Sequence, residues 1–246
     1  MATRRKSLWT LPVAIFSTLF PSCSTLDPIY EISGPEDSEH VILLHGLARS
    51  HKSMRPLGAA LASEGFGVCN VGYPSTKNTI PELHDTVVKE AIQRCQDRGA
   101  TTIHFAGHSM GAILSRYALE KSPPENSGKL VQLAPPNQGS EVVDKLGEWS
   151  LFVLINGPAG SSLGTGKESA VRQLGPVTHP TLVIAGTRSI NPLLSLLIPG
   201  TDDGKVSVEN TKVAGTSTHK TLPISHPYIM KRQRSITEVL RFLQDK

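Results

Sequence analysis

A serine between two glycines, where an apolar run gives way to a helical pattern, has the surroundings of a catalytic nucleophile. Residues 103–111 read IHFAGHSMG and place Ser109 between Gly107 and Gly111. A strand that becomes a helix over so few residues strains the middle residue, and glycines on either side relieve the crowding. Such a turn lifts the serine oxygen clear of the sheet and points the first helical amides toward whatever the serine attacks. Ser109 is therefore the candidate nucleophile.

A nucleophilic serine needs a general base, because its hydroxyl reacts poorly at neutral pH. Nine histidines compete for this role. His45 and His108 belong to glycine-containing turns, and five others precede or separate the motifs. His219 and His226 remain, downstream of the last clear strand pattern. His226 ends the apolar run LPISH and precedes an amphipathic helical pattern, so it is the predicted base and His219 is the alternative.

A carboxylate is the third expected group, because it holds the imidazole in the right tautomer and stabilises its charged form. The stretch PGTDDGKVSVENT offers Asp202 and Asp203 on a tight loop, before a segment, KVSVENT, that alternates like a strand. An Asp-Gly turn is common and needs no catalytic explanation. The order of the residues along the chain nevertheless favours a catalytic role for an aspartate of this loop, because serine, then aspartate, then histidine is the order in the α/β-hydrolase fold.

Two backbone amides are candidate donors to the oxygen that becomes negative during acyl transfer. The stretch LHGLARS follows a predicted strand, and Gly46 lets the chain turn so that the amide of Leu47 faces the site. The amide of Met110, directly after the candidate nucleophile, is the second expected donor.

The elements that must position these residues alternate along the chain from about residue 41. Strand patterns occur in VILLHG, FGVCNVGY, TTIHFAGHS, KLVQLAP and TLVIAGT, and helical patterns occur in MRPLGAALASEG, TIPELHDTVVKEAIQRCQDRG and residues 110–121. This alternation predicts right-handed crossovers and a mostly parallel sheet with helices on both faces. Sites in such sheets form at the carboxyl ends of strands, which is where the glycine-rich and serine-rich features fall.

From about residue 40 to the C-terminus the chain resembles α/β-hydrolases of the bacterial lipase and esterase type. The resemblance rests on HGLARS, GHSMG, PPNQGS, DDGKVSVE and LPISHPYI. In bacterial lipases a similar Asp-Gly-x-Val loop supplies the acid from the aspartate before the glycine, which implies Asp203 and leaves Asp202 as the alternative. The resemblance implies an esterase that acts on small-molecule or lipid esters through an acyl-enzyme intermediate. It implies no cofactor, and no metal, because the calcium ligands of some bacterial lipases have no counterpart here.

A break in the alternation over about residues 141–176 predicts a small cap or lid insertion. Residues 149–155, which include Trp149, and residues 190–200, which include Leu194, are apolar. If they line the site, they form an acyl-chain pocket that favours medium-chain esters. If both segments instead pack as core helices, the substrate class stays open.

Other functions fit the same residues. Amidases, thioesterases and acyltransferases use the same constellation, and fold alone does not decide the chemistry. A non-catalytic envelope binding module of the same fold is the alternative from a different class. The complete set of Ser109, Asp203 and His226 counts against that alternative.

Length and charge bound the remaining possibilities. A chain of 246 residues accommodates one α/β domain with a full core. The net charge of +4 owes three charges to Arg4, Arg5 and Lys6 at the N-terminus, so no nucleic-acid partner is expected. The sequence does not predict an oligomeric state.

The N-terminal segment resembles an export signal, with a basic start, an apolar stretch over residues 8–20 and small residues around Cys23. We therefore predict a signal over 1–22, a linker over 23–39 and the hydrolase domain over 40–246. The end of the signal resembles that of a bacterial lipoprotein, in which the cysteine becomes lipidated; Ser22 fits this pattern, whereas Phe20 and Pro21 depart from it. Cleavage near Ser24 and an uncleaved anchor are the alternatives. Each places the domain outside the cytoplasm, as a periplasmic or membrane-anchored protein.

Two further cysteines remain if Cys23 carries lipid. In an exported chain Cys69 and Cys95 could form one disulfide. Cys69 falls in a strand pattern and Cys95 in a helical pattern, so two buried free thiols are the other possibility.

The lipoprotein prediction has a direct test. If acyl chains on Cys23 tether the domain, Cys23→Ser should release the domain into the soluble fraction or leave the precursor uncleaved, and globomycin should make the precursor accumulate. Fractionation and the mass of the mature protein are the measurements. If neither treatment changes them, lipidation is wrong.

Overall fold

The computed structural model describes residues 27–140, 143, 163–164, 169 and 171–245. The predicted export signal with Cys23, and most of the predicted cap with Trp149, lie outside the described residues. Among the helices that are described, none has the length and apolar character needed to cross a membrane.

A seven-stranded sheet organises the described chain in the order β1-β3-β2-β4-β5-β6-β7. Only β1 runs antiparallel to its neighbour, and the other pairs are parallel. This confirms the predicted mostly parallel sheet. The strands are β1 (Ile29–Ser33), β2 (Glu39–Leu44), β3 (Gly67–Gly72), β4 (Thr102–His108), β5 (Ser127–Leu133), β6 (Val177–Gly186) and β7 (Gly215–Leu222).

Helices connect the strands and cover both faces of the sheet. They are α1 (Arg55–Ser63), α2 (Ile80–Leu83), α3 (Lys89–Asp97), α4 (Met110–Lys121), α5 (Pro192–Ser195) and α6 (Gln233–Gln244). A π-helical turn, His84–Val88, joins α2 to α3, and 3₁₀ turns span His51–Ser53, Glu209–Thr211 and His226–Lys231. The long helix predicted after β3 is therefore one helical run that contains a π turn.

Strand β2 shows why the core has two layers. Ile42 and Leu44 pack with side chains from α2, α3 and α4, whereas Val41 and Leu43 pack with side chains from α1 and α6. Successive side chains of a strand point to opposite faces, so a strand covered on both faces is apolar at nearly every position. All four side chains are fully buried, and each contributes about 1.5–3 kcal/mol relative to an exposed position.

Two segments depart from the strand predictions. The segment KVSVENT is not a strand: its first residues turn back, Asp202 and Ser207 form an isolated bridge, and Glu209–Thr211 is a 3₁₀ turn. The alternation reflects this compact loop, in which Val206 is buried. Conversely, β7 has the sequence GTSTHKTL, which lacks an apolar run because β7 is an edge strand with much of its surface exposed.

The N-terminal edge of the sheet begins before residue 40. Strand β1 lies within the range 23–39, predicted as a linker, and pairs with β3 from Ile29 opposite Gly72 to Ser33 opposite Val68. Residues 29–33 are therefore part of the sheet.

Both described cysteines are free and buried. Cys69 lies on β3 and Cys95 on α3, and the two thiols interact. The hydrogen bond with Cys69, together with burial, raises the pKa of the Cys95 thiol. In this structure the pair is two interacting thiols rather than a disulfide.

Candidate active site

The turn at Ser109 joins β4 to α4 through a single residue. β4 ends at His108 and α4 begins at Met110, so Ser109 alone makes the reversal, with φ +53° and ψ −120°. A positive φ is strained for a residue with a side chain. The Ser109 N–H donates to the carbonyl of Leu133 on β5 at 2.8 Å, which ties the turn to the neighbouring strand. The Ser109 side chain is half-buried and so can be reached from solvent.

The two glycines beside Ser109 are required by close backbone contacts. A Cβ atom on Gly107 would stand 2.3 Å from the carbonyl oxygen of Gly111. A Cβ atom on Gly111 would stand 2.2 Å from the carbonyl oxygen of Leu44. Because these obstacles are backbone atoms, neither position has room for a side chain, and β4, α4 and β2 approach as closely as glycine allows.

A continuous series of hydrogen bonds links the three predicted side chains. The Ser109 Oγ lies 3.0 Å from His226 Nε2, and His226 Nδ1 lies 2.7 Å from Asp203 Oδ2. An ionised carboxylate only accepts, so the Nδ1–H donates to Asp203 and Nε2 is left to accept the serine hydroxyl proton. Asp203 and His226 are buried. The serine and the histidine are separated by 117 positions in the sequence, so the fold brings them together.

The carboxylate of Asp203 is fixed on both sides. Its Oδ1 accepts the backbone N–H groups of Lys205 at 3.0 Å and Val206 at 2.9 Å, while Oδ2 faces the imidazole. The N–H of His226 also donates to the Asp203 carbonyl at 3.0 Å. The acid and the histidine are therefore held by backbone as well as side-chain contacts.

Neither alternative residue enters this series. Asp202 Oδ1 accepts the N–H of Gly204 at 2.6 Å and the hydroxyl of Ser195 on α5 at 2.8 Å, so this side chain ties the loop to α5. His219 lies on β7, and its Nε2 is 2.8 Å from the hydroxyl oxygen of Thr211. Both side chains have structural partners elsewhere.

The two predicted oxyanion amides flank the serine turn. Met110 is the first residue of α4, where N–H groups have no partner within the helix. Leu47 follows Gly46, and a Cβ atom on Gly46 would stand 3.2 Å from the Ser109 Cβ, so this turn packs directly against the elbow. Within the part of the chain that the structure describes, neither amide donates a hydrogen bond to the protein.

Solved structures with similar coordinates identify the architecture. The mature form of the Bacillus licheniformis lipase BlEst2 superposes with a TM-score of 0.71 at 16% identity, over 87% of this chain and 98% of that chain. The enol-lactonase from Burkholderia xenovorans LB400 superposes with a TM-score of 0.61 at 16% identity, over 89% of this chain and 96% of that chain. The chain has the α/β-hydrolase fold.

Sequence comparison adds two lipases and no family model. No model of a protein family matches the chain. It is 35% identical to a thermostable monoacylglycerol lipase from Bacillus sp. (strain H-257) over 120 residues, and this match covers 44% of each protein. It is 30% identical over 111 residues to a triacylglycerol lipase from Pseudomonas fragi, which covers 43% of this chain and 37% of the lipase. The matches thus span less than half the length of these curated relatives, and over that part the chain is similar to lipases.

Tyr73, which the sequence analysis did not select, fixes the turn at Gly46. Its hydroxyl donates to the carbonyl of His45 at 2.5 Å, its N–H donates to His45 Nε2 at 3.3 Å, and the two rings stack with centroids 4.0 Å apart. Burial lowers the pKa of His45 to about 4, so the ring is neutral and its Nδ1–H donates to the carbonyl of Gly46 at 2.8 Å. No local pattern marks Tyr73, because its contacts lie 28 positions away.

His108, expected only to pack, also holds the histidine loop. Its Nε2–H donates to the carbonyl of His226 at 3.1 Å, and the two rings lie 4.9 Å apart. Burial, and secondarily the nearby His226, lowers the pKa of His108 well below its ordinary value. A neutral His108 therefore anchors the backbone of His226 without placing a second positive charge beside its ring.

The segment after β5 supports the acid loop. The hydroxyl of Ser140 donates to the carbonyl of Lys205 at 3.0 Å, two positions beyond Asp203. Asn137 donates to Gln132 Oε1 and to the Thr211 carbonyl, both at 2.8 Å. The PPNQGS motif thus connects β5 to the loop that carries the acid.

The two predicted pocket residues, Leu194 and Trp149, do not belong to the hydrogen-bonded series. Leu194 is half-buried on α5, where its N–H donates to Asn191 Oδ1, and Trp149 lies outside the described residues. Their role as pocket residues stays a prediction. Among the described residues no group of three or more His, Cys, Asp or Glu side chains is placed to hold a metal ion.

The crowding at the serine turn gives a stability prediction. Gly111→Ala should lower the free energy of unfolding by at least about 3 kcal/mol, because the methyl group would stand 2.2 Å from the Leu44 carbonyl oxygen and 2.5 Å from that of His45. Urea unfolding followed by circular dichroism measures the change. Gly175→Ala is the control, since its Cβ would have no neighbour nearer than 3.9 Å. A Gly111→Ala protein as stable as the control would contradict this account of the turn.

Proposed function

We propose that the protein is a serine hydrolase that cleaves carboxylic esters through an acyl-enzyme intermediate. The observation that carries the proposal is the hydrogen-bonded series from Asp203 through His226 to Ser109, on a strained turn beside two unpartnered amides. The lipases that share sequence with the chain support esters as the substrate class.

In the acylation step, Ser109 Oγ attacks the ester carbonyl carbon while His226 Nε2 accepts the hydroxyl proton. Asp203 stabilises the resulting imidazolium through Nδ1–H. The carbonyl oxygen becomes negative and accepts hydrogen bonds from the amides of Leu47 and Met110, which are held in place before the reaction. The intermediate then collapses, the bond to the alcohol oxygen breaks, and His226 returns the proton to the leaving alcohol.

Deacylation repeats the same steps with water. His226 Nε2 removes a proton from a water molecule, whose oxygen attacks the acyl carbon. The same two amides stabilise the second oxyanion. Collapse breaks the bond to Ser109 Oγ, which recovers its proton from His226, and the carboxylic acid leaves. No cofactor is needed for either step.

A second serine–histidine contact among the described residues lacks the rest of this machinery. Ser122 Oγ lies 2.7 Å from His84 Nε2, and His84 Nδ1 lies 3.1 Å from Asp85 Oδ1. Asp85 is exposed, however, and also pairs with Lys89 at 2.7 Å. Ser122 directly follows α4, so it lies at the C-terminal end of that helix, where carbonyl groups rather than N–H groups are unpaired. Among the serines that the structure describes, Ser109 alone has a histidine, a buried acid and two unpartnered amides beside it.

Amide, thioester and acyl-transfer chemistry stay as alternatives on the same residues, and a non-catalytic envelope binding module is the alternative outside enzymology. We also retain the proposal that the domain is exported and tethered through Cys23. That proposal rests on the N-terminal sequence alone.

Labelling and turnover test the role of the serine. Wild-type protein should react with a fluorophosphonate probe and hydrolyse p-nitrophenyl esters. Ser109→Ala should abolish labelling and lower kcat by at least roughly 10⁴-fold, because the nucleophile, base and acid act as a unit. In-gel fluorescence and steady-state kinetics are the measurements, and thermal unfolding shows that the variant folds.

Three controls sharpen this test. Ser122→Ala should label like wild type, which separates the Ser109–His226 contact from the Ser122–His84 contact. Asp203→Asn should lower kcat far more than Asp202→Asn, and His219→Ala should leave kcat within a few-fold of wild type. Normal ester turnover by Ser109→Ala would exclude the mechanism, and absence of labelling in the wild type would favour the non-catalytic module.

A series of acyl chains tests the preference for medium-chain esters. Each methylene buried in a pocket contributes about 0.8 kcal/mol, or about fourfold, so kcat/KM should rise from acetyl to about hexanoyl or octanoyl esters. Trp149→Ala or Leu194→Ala should flatten this rise and leave acetate turnover nearly unchanged. Leu193→Ala is the control, since that side chain is 75% exposed. A wild-type preference for acetate, or equal losses for every chain length, would reduce the activity to a short-chain esterase.

A further inference from the structure

Exposed apolar side chains concentrate in one region of the described structure. Five large hydrophobic residues are exposed in the part of the chain that is described, and four of them lie in residues 190–196 or at Tyr228. Ile190 is 59% exposed, Leu193 75% and Leu196 81%. The fifth, Ile29, is 52% exposed and lies on β1, at the opposite end of the sheet. Exposed leucines are common singly, but a cluster of this kind marks an interaction surface.

An open groove of about 660 Å³ lies between residues 188–190 and residues 223–234; the exposed Leu193 and Leu196 follow Ile190 in the chain and do not line it. The groove lies between the chain after β6 and the start of α6, and its lining includes Arg188, Ile190, Tyr228, Arg232 and Arg234. The groove therefore has apolar side chains and guanidinium groups on the same walls. We call residues 188–196 and 228–234 together the basic groove face.

The charge of this face has one sign. Residues 186–201 and 222–237 contain Arg188, Lys231, Arg232 and Arg234 but no aspartate or glutamate. In the described structure none of these four cations forms an ion pair. The acids that directly follow the two ranges already have partners: Asp202 accepts hydrogen bonds from Ser195 and Gly204, and Glu238 pairs with Lys220 and Arg241. The cations are thus free to meet an external anion.

Tyr228 links the apolar and the basic parts. The ammonium of Lys231 lies 4.9 Å from the centre of the Tyr228 ring, and the guanidinium carbon of Arg232 lies 5.3 Å from it. An exposed aromatic ring with cations beside it is suited to the boundary between lipid headgroups and acyl chains, where tyrosine is enriched.

We propose that the basic groove face docks onto the surface of an anionic lipid bilayer. Leucine and isoleucine side chains are stabilised when they leave water for the boundary of the acyl chains. Arginine and lysine side chains are attracted by the negative headgroups, so both contributions strengthen binding to the same surface. A purely acidic partner would leave Leu193 and Leu196 in water, and a neutral lipid surface would leave the four cations unpaired. Docking would bring His226, two positions before Tyr228, close to the lipid. The inference goes beyond the proposed hydrolysis and does not require it.

Vesicle sedimentation tests the charge requirement. Full-length chain is mixed with sucrose-loaded vesicles of ether-linked phosphatidylglycerol and phosphatidylcholine, or of ether-linked phosphatidylcholine alone, at 0.15 M salt. Ether bonds resist an esterase, so binding is measured without turnover. Each cation near an anionic surface contributes about fivefold in binding, so Arg232→Gln/Arg234→Gln should weaken partitioning onto anionic vesicles about 30-fold. Lys89→Gln/Arg94→Gln removes the same charge from α3, which packs near β2 and β3, and should change partitioning less than threefold.

A pair of isoleucines tests the apolar requirement. Ile190→Ser should weaken partitioning onto anionic vesicles about tenfold, whereas Ile29→Ser, a similarly exposed position at the far end of the sheet, should have less than a twofold effect. Every variant carries the same N-terminal segment, so any contribution of that segment to binding cancels in the comparison. Ser109→Ala should bind like wild type, which separates this proposal from the catalytic one.

Three outcomes would overturn the proposal. The first is equal binding of wild type to neutral and anionic vesicles. The second is binding of the arginine or Ile190 variant that matches its control. The third is a lipid-free dimer, seen by light scattering, that Ile190→Ser converts to monomer without affecting vesicle binding; the face would then be an interface between two copies of the chain.

Discussion

The close approach of three backbone segments at Ser109 is the constraint on which the rest of the site depends. Gly107 and Gly111 let β4, α4 and β2 come together at distances that exclude a Cβ atom, and the positive φ of Ser109 is the conformation that this crossing requires. A backbone strain of this kind costs about 1–3 kcal/mol. The hydrogen bond to Leu133 and the packed core on both faces of β4 offset the cost, so the Ser109 hydroxyl is held in a fixed position.

Everything else in the site is arranged around that fixed oxygen. Asp203 follows β6 and His226 follows β7, so both residues lie at the carboxyl ends of the parallel strands, as Ser109 does after β4. Asp202 and Ser140 hold the acid loop, and His108 holds the backbone of His226. Because these supports connect separate loops, the geometry at Ser109 depends on the packing of the whole C-terminal half of the sheet.

Three buried histidines near the serine have different chemistry because their neighbours differ. His226 faces a buried carboxylate, which can stabilise its positive form, whereas His45 and His108 face carbonyl and amide groups and have lowered pKa values, chiefly through burial. The folded pKa of His45, about 4, lies below its ordinary value of 6.5, so the unfolded chain binds the proton more tightly. Neutral His45 therefore favours the folded state fully above about pH 6.5, and this stability is lost as the pH falls from about 6.5 through about 4.

The sequence by itself determined the parallel sheet, the serine turn and the order of the three site residues, because apolar runs and flanking glycines act on neighbouring backbone. It determined neither β7, whose edge position needs no apolar run, nor the compact loop after Asp203, whose alternation imitates a strand. Only the tertiary structure decided which of two adjacent aspartates faces His226, and only there do Tyr73 and His108 acquire roles. These contacts join residues far apart in the chain, and their formation depends on how the loops pack once the sheet is assembled.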